Sequence, residues 1–164
     1  MTLVADTSAL VSLGCATDRP LLDLLVSEYE VSLPEIVVEE LREIAAYDDD
    51  QARGARAVLD RIDDIATCPV PLESDFPLDD GENGAVVLAN DRAASMLLCD
   101  EFNKVGLVHA SLDDVKLVTT PKLLLVLEAN GVLSASEVIR LLDEISEVRS
   151  WDGNSYVERV RNRL

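Results

Sequence analysis

The chain has very few aromatic residues, three cysteines and one histidine. Phe, Tyr and Trp make up 4% of its 164 residues, so Leu, Val, Ile and Ala must build the core, as expected for helices packed on a buried parallel sheet. The cysteines, Cys15, Cys68 and Cys99, are scattered and odd in number, which argues against a disulfide framework or a zinc site. His109 lies in an apolar stretch, and we predict a core or edge residue of a strand there.

Long apolar runs are also absent. None reaches the roughly 18 residues of a membrane span, and the N-terminal stretch meets Asp6 without a preceding basic region, so we expect no signal peptide. A length of 164 residues suits one domain with a real core. We therefore expect a soluble, cytoplasmic protein with no membrane partner.

Positive charge is scarce. There are 14 basic and 32 acidic side chains, giving a net charge of −18, yet the chain is too apolar to be disordered. Such a surface is typical of a salt-rich cytoplasm, where charge repulsion is screened within about 3 Å at 1 M salt. We infer a halophilic archaeon; an acidic protein that binds a basic partner is the alternative. In concentrated salt, an acidic surface weighs less against nucleic-acid binding.

Apolar patterns and turn signals predict alternating strands and helices. Strands are predicted at 2–5, 29–33, 95–99 and 105–110. Helices are predicted at about 8–16, 21–26, 36–45, 51–65, 79–91, 121–130, 134–148 and 155–164, and residues 68–77 as an irregular connection. Because helices separate the strands, the sheet should be mostly parallel and covered on both faces.

Acidic residues follow two of the most convincing strands, at Asp6 and at Asp100-Glu101. In open parallel sheets, ligands bind beyond the carboxyl ends of the strands. Carboxylates suit Mg²⁺ or Mn²⁺, and such ions supply the activated water and charge neutralisation that phosphodiester hydrolysis requires. With nearly one residue in five acidic, chance is the competing explanation for two such strand ends.

Four stretches resemble motifs of the PIN domain family. They are VADTSAL at 4–10, LPEIVVEEL at 33–41, LDDGENGA at 78–85 and MLLCDEF at 96–102. The resemblance covers most of the chain, and the sequence is similar to the VapC-like, haloarchaeal type of PIN nuclease. It implies a three-layer α/β/α sandwich with a central, mostly parallel sheet of four to five strands. It also implies one domain over 1–164, with a motif-bearing core at about 1–118 and a helical extension at about 119–164.

The resemblance also implies the site. The metal-binding, catalytic residues would be Asp6, Glu40, Glu82 and Asp100, with Ser8 supporting them by hydrogen bonds and with Asp79 and Glu101 as alternates. Glu39 and Glu40 lie about 100° apart on a helix, so only one can face the site.

Simpler explanations exist for some of these residues. Thr7 or Ser8 could be a plain helix N-cap, and acids at 79, 80 and 82 also suit a helix N-terminus. In the fourth motif, many relatives have Thr-x-Asp. If Cys99 replaces that threonine, Glu101 is the ligand; otherwise it is Asp100, which we favour.

The resemblance implies a Mg²⁺- or Mn²⁺-dependent ribonuclease. It is compatible with a VapC-type toxin that has an antitoxin partner. The family also implies a homodimer, and the apolar helix near 21–26 could supply its interface. A non-catalytic PIN module that binds protein or RNA is the alternative, and a receiver-like α/β protein is a weaker one because its lysines are poorly placed.

Outside the motifs, we predict that Trp151 anchors the last helix in the core, and that Arg159, Arg161 and Arg163 do not share one helical face.

Overall fold

A central parallel sheet of five strands organises the protein, whose computed structural model describes residues 1–164. The strands are β1 (Thr2–Ala5), β2 (Glu30–Pro34), β3 (Ala66–Cys68), β4 (Met96–Leu98) and β5 (Lys116–Val118). They pair in the order β3-β2-β1-β4-β5, so β1 lies at the centre. Every pairing is parallel, as the alternation of strands and helices predicted.

Nine helices surround the sheet. They are α1 (Thr7–Gly14), α2 (Leu21–Glu28), α3 (Glu35–Ala45), α4 (Asp50–Leu59), α5 (Asp80–Asp91), α6 (Val105–Ser111), α7 (Thr120–Ala129), α8 (Ala135–Arg149) and α9 (Ser155–Arg161). None is both long and apolar enough to cross a membrane.

The sheet has a separate apolar core on each face. Alternate residues of a strand point to opposite faces: Leu3 and Ala5 of β1 belong to a core of 31 buried residues, whereas Val4 belongs to one of 10. Most helices pack in the larger core, and α5 and α6 cover the other face. This arrangement confirms the predicted three-layer α/β/α sandwich.

The register of the sheet places the first and fourth motifs side by side. Ala5 of β1 pairs with Leu98 of β4, and the Asp6 amide donates to the Leu98 carbonyl at 3.0 Å. The acidic residues that follow these two strands therefore lie at the same carboxyl edge of the sheet.

The prediction of a strand at 105–110 was wrong. These residues form α6, in which only Val108 is buried and its neighbours Leu107 and His109 are exposed. His109 is therefore neither a core residue nor part of a strand. The fifth strand is instead β5, and the short strand β3 was likewise not predicted. Three residues are too few to show a periodic pattern.

The helices agree better with the prediction. Residues 51–65 divide into α4 and a 3-10 turn at Ile62–Asp64 rather than forming one helix. The capping box of Ser134 and Glu137 opens α8 as predicted. Trp151 is buried in the larger core and packs edge-on against Phe102, which confirms its predicted anchoring role.

Two features outside the sheet concern how the helices pack: the burial of α2 and the close contact between α1 and α4. Leu21, Leu22 and Leu25 of α2 are buried in the chain's own core, so most of the apolar surface expected for a dimer interface is already used. Helices α1 and α4 meet at Gly14 and Gly54, where a Cβ on Gly14 would collide with the Gly54 carbonyl.

Candidate active site

An acidic cleft of about 250 Å³ opens at the carboxyl edge of the sheet. Its lining includes carboxylates from all four motifs, the fourth being represented by Glu101; the full set is Asp6, Thr7, Ser8, Val11, Glu40, Ile44, Gln51, Asp79, Glu82, Glu101 and Arg149. The fold thus brings together acids that are up to 95 positions apart in the sequence, from 6 to 101. We call this space the acidic cleft.

Asp6 is held in place by four hydrogen-bond contacts at the end of β1. Its Oδ1 accepts from the Ala9 amide at 3.0 Å, so Asp6 itself is the N-cap of α1. The Ser8 hydroxyl lies 2.8 Å from Oδ1 and 2.9 Å from Oδ2, and the Cys99 thiol donates to Oδ2 at 3.0 Å. Neither Thr7 nor Ser8 is the N-cap, so that simpler explanation of their presence was wrong.

Glu40 reaches the acidic cleft from α3. The Thr7 hydroxyl donates to its Oε1 at 2.7 Å. Glu39, one position earlier, is exposed and lines a different surface hollow with Pro69 and Val70, as helical geometry predicted. Gly81 of α5 permits the approach of Glu40, because a Cβ at position 81 would collide with the Glu40 carboxylate.

The third motif begins α5. Asp79 is the N-cap of this helix, with its Oδ1 accepting from the Glu82 amide at 3.0 Å. Capping thus accounts for Asp79, while the side chain of Glu82 is buried at the cleft. Lys104 approaches both carboxylates, at 3.5 Å from Glu82 and 3.9 Å from Asp79.

In the fourth motif, Asp100 and Glu101 occupy different surroundings. Asp100 is buried; its Oδ1 accepts from the Thr120 amide at 2.6 Å, and its Oδ2 has no hydrogen-bond partner. Its own amide donates to the Ser8 hydroxyl at 3.0 Å. Glu101 lines the acidic cleft and Asp100 does not. Both alternatives for the ligand therefore remain open on geometry.

The electrostatics of the site oppose ionisation of its carboxyl groups. Burial, with a smaller contribution from the nearby Asp100 charge, raises the pKa of Asp6 to about 7. Burial also raises the pKa of Asp100, of Glu40 and of Glu82. For Glu82 the adjacent Asp79 adds to the effect, and the Lys104 ammonium opposes it. Several acids whose charge is disfavoured in one cleft form a site that a cation would stabilise.

A protein-family model described as a PIN domain matches residues 2–164. That match extends over nearly the whole chain. The chain belongs to the PIN domain family. No curated protein was found to match it. PIN domains are generally nucleases that bind RNA and use divalent metal ions, and the five-stranded parallel sheet with helices on both faces agrees with their α/β/α sandwich.

Some cleft residues of this PIN domain were not predicted as functional from the sequence. Arg149, at the end of α8, donates to Gln51 at 3.0 Å and approaches the Ser8 carbonyl at 3.5 Å, and its Nε is buried without a partner. Thr7 also lines the cleft, and Lys104, although not part of the lining, approaches the Glu82 carboxylate at 3.5 Å. Arg149 and Lys104 lie outside the motifs, and only the tertiary structure brings them to the cleft.

The donor set of this PIN domain fits a hard divalent cation. Carboxylate oxygens are the ligands that Mg²⁺ and Mn²⁺ prefer, and the unpaired, buried Asp100 Oδ2 is an acceptor that lacks a protein donor. No three Asp, Glu, His or Cys side chains are already arranged so that they could hold a metal ion. Binding would therefore require the carboxylates to draw together.

Proposed function

We propose that this PIN domain is a Mg²⁺- or Mn²⁺-dependent endoribonuclease. The observation that supports the proposal is the acidic cleft, where Asp6, Glu40 and Glu82 meet at the carboxyl edge of the sheet. These three, with Asp100, are the catalytic and metal-binding residues of the proposal, and Asp79 and Glu101 are the alternates. A structural role alone does not account for so many carboxyl groups whose ionisation burial disfavours.

A divalent ion bound here would supply an activated water and neutralise charge on the phosphodiester. The chain's own residues would prepare the site. Ser8 and Cys99 orient the Asp6 carboxylate, and Thr7 orients that of Glu40. Such supporting hydrogen bonds fix the direction of metal ligands.

Two basic side chains near the acidic cleft are suited to the negative charge of an RNA substrate. Arg149 and Lys104 are the basic side chains that reach the acidic cleft or its carboxylates. We propose that the Arg149 guanidinium binds the phosphate to be cut, because Arg149 lines the cleft and a guanidinium matches phosphate oxygens. The Lys104 ammonium would offset part of the burial effect that disfavours the ionised form of Glu82.

Cleavage of a structured RNA by the purified chain tests the proposal. We expect cutting in concentrated KCl with Mn²⁺ or Mg²⁺ and none with a chelator, and we expect Asp6→Asn to abolish it. Glu40→Gln and Glu39→Gln form a matched pair on the same helix: the first should lose at least about a hundredfold in rate, and the second should cut like the wild type. Equal activity in Glu40→Gln and Glu39→Gln, or cutting by Asp6→Asn, would contradict the proposal.

The biological role proposed is that of a VapC-type toxin in the cytoplasm of a halophilic archaeon, kept inactive by an antitoxin. The resemblance of the motifs supports this role, and the excess of 18 negative charges supports the halophilic setting. Expression of the chain alone should arrest growth, and expression with a neighbouring small gene should restore it. The homodimer implied by the family is tested by sedimentation at several protein concentrations.

A non-catalytic PIN module is the second candidate. The departures of the third and fourth motifs from the family pattern and the capping role of Asp79 favour it. Calorimetric titration with Mn²⁺ distinguishes the two, because a module without catalysis should bind the ion weakly and equally in the wild type and in Asp6→Asn.

A further inference from the structure

A second cleft, of about 310 Å³, has the opposite charge from the first. It lies among α6, β5, α7 and α9 and is lined by Lys122, Arg159, Arg163 and His109, with Thr119 and five apolar side chains completing it. No Asp or Glu lines it. In a chain with 32 acidic and 14 basic side chains, such a wall is unexpected by chance. We call this space the cationic cleft.

The charges of the cationic cleft are not neutralised within the protein. Lys122, Arg159 and Arg163 form no ion pair, whereas Arg161, two positions from each arginine, pairs with Asp143 at 2.8 Å. Arg159 lies in α9 and Arg163 in the turn that follows it, and both line the cleft, whereas Arg161 does not, so the prediction that the three arginines do not share one face was correct. Like charges left unpaired on one wall repel each other, and an anion relieves this repulsion.

An aromatic layer holds one of these cations in position. The Arg159 guanidinium lies 5.6 Å from the centre of the Tyr156 ring, within the range of a cation–π interaction. Tyr156 in turn stacks on Phe102 at 5.3 Å between ring centres. Since Phe102 packs on the buried Trp151, Arg159 rests on side chains anchored in the core.

The same aromatic layer is connected to residues of both clefts, since Tyr156 lines the cationic cleft. Phe102 directly follows Glu101, which lines the acidic cleft. On the other side, Thr119 lines the cationic cleft, and the amide of the next residue, Thr120, donates to Asp100 at 2.6 Å. Glu101 of the acidic cleft and Thr119 of the cationic cleft thus follow the paired strands β4 and β5 at the carboxyl edge of the sheet, and one extended ligand could reach both.

We propose that the cationic cleft binds a backbone phosphate of the RNA substrate, away from the phosphate that lies in the acidic cleft. This inference rests on the proposed ribonuclease function. A phosphodiester chain carries one charge per nucleotide and is bound mainly through Arg and Lys. The apolar part of the cleft would contact ribose and base. An acidic polypeptide is the competing occupant, but it would not explain why the cationic cleft has residues at the same edge of the sheet as the carboxylates.

Binding of a labelled single-stranded RNA, followed by fluorescence anisotropy in a chelator over a series of KCl concentrations, tests the inference. Each lost phosphate contact reduces the slope of log affinity against log salt by about 0.7 for single strands. Because the cleft is proposed to bind one phosphate, Arg159→Ala with Arg163→Ala should reduce the slope by about 0.7 and weaken binding about tenfold.

A matched control removes the same two charges elsewhere. Arg140 and Arg161 pair with Asp18 and Asp143 rather than facing the cleft, so Arg140→Ala with Arg161→Ala should leave the slope unchanged. Equal effects in both double variants, no effect in either, or no RNA binding by the wild type would overturn the inference. Displacement of the RNA by an oligoglutamate of equal charge, at equal concentration, would assign the cleft to an acidic polypeptide and also overturn it.

The inference about the cationic cleft and the ribonuclease proposal can fail separately. If the wild type cuts RNA with Mn²⁺ and the Arg159, Arg163 double variant binds and cuts equally well, only the inference fails. If RNA binds through the cationic cleft but is never cut, only the ribonuclease proposal fails.

Discussion

The thiol of Cys99 lies 3.0 Å from Oδ2 of Asp6 and donates a hydrogen bond to it. Burial raises the pKa of the Cys99 thiol, and the nearby Asp6 carboxylate raises it further. The thiol therefore stays protonated and acts as a fixed donor. In this position it orients the first carboxylate of the site.

We predict that Cys99→Ala weakens Mn²⁺ binding and slows RNA cutting by roughly tenfold to a hundredfold, as expected when a supporting hydrogen bond is lost. Cys99→Ser keeps a donor and should retain most of the affinity. Calorimetry with Mn²⁺ measures the first effect without relying on activity. Equal affinities in Cys99→Ala and Cys99→Ser would show that the hydrogen bond is unimportant.

The choice between Asp100 and Glu101 is open to a direct comparison. If Asp100 is the ligand, as we proposed, Asp100→Asn should abolish Mn²⁺ binding and Glu101→Gln should reduce it by less than about tenfold. The buried, unpartnered Oδ2 of Asp100 supports this order. The reverse order would assign the ligand to Glu101, which already lines the acidic cleft.

Gly81 is predicted to be necessary for the position of Glu40. A Cβ at this position would collide with the Glu40 carboxylate, which is the end of a flexible side chain. Gly81→Ala should therefore leave the fold intact but displace Glu40 and weaken Mn²⁺ binding by at least about tenfold.

Gly106→Ala is the control for that substitution, because a Cβ at Gly106 meets nothing within 4 Å. It also lies in a helix, α6, and should not change Mn²⁺ affinity. If Gly81→Ala bound Mn²⁺ as the wild type does, Glu40 would not need its present position.

The raised pKa of Asp6 predicts how stability depends on pH in a chelator. Asp has a pKa near 3.9 in an unfolded chain, whereas that of folded Asp6 is about 7. Between about pH 4 and 7 the folded chain binds more protons than the unfolded chain, so this group lowers the free energy of unfolding as pH rises. The full loss, roughly 4 kcal/mol at most, is reached above about pH 7.

Asp6→Asn removes this loss, and the variant should be more stable than the wild type at about pH 8 but not at about pH 4. Urea unfolding at the two pH values measures the difference, and exposed Glu39→Gln is the control. A wild type and an Asp6→Asn variant with the same pH dependence would contradict the burial effect. Adding Mg²⁺ at about pH 8 should raise the melting temperature of the wild type and not that of Asp6→Asn. An ion that binds only the folded state stabilises it, and the variant lacks a ligand for the ion.

Much of the site was predictable because it lies in local motifs. The strand before Asp6 and the helical spacing that separates Glu39 from Glu40 are visible in short stretches, since burial and helical period repeat every few residues. The N-cap at Asp6 was missed, although the sequence contains it, because three adjacent residues at positions 6–8 all suit a cap.

The sequence by itself determined the α/β class and the parallel sheet, because apolar periodicity is a local property, and the resemblance of four short motifs implied the candidate ligands. Only the tertiary structure decided which long-range neighbours these ligands have: Cys99 on Asp6, Lys104 on Glu82, and Arg149 at the cleft. It also decided that residues 105–110 are helical and that β5 completes the sheet. Short segments of this kind are weakly specified by their own residues, and packing against the rest of the chain selects their conformation.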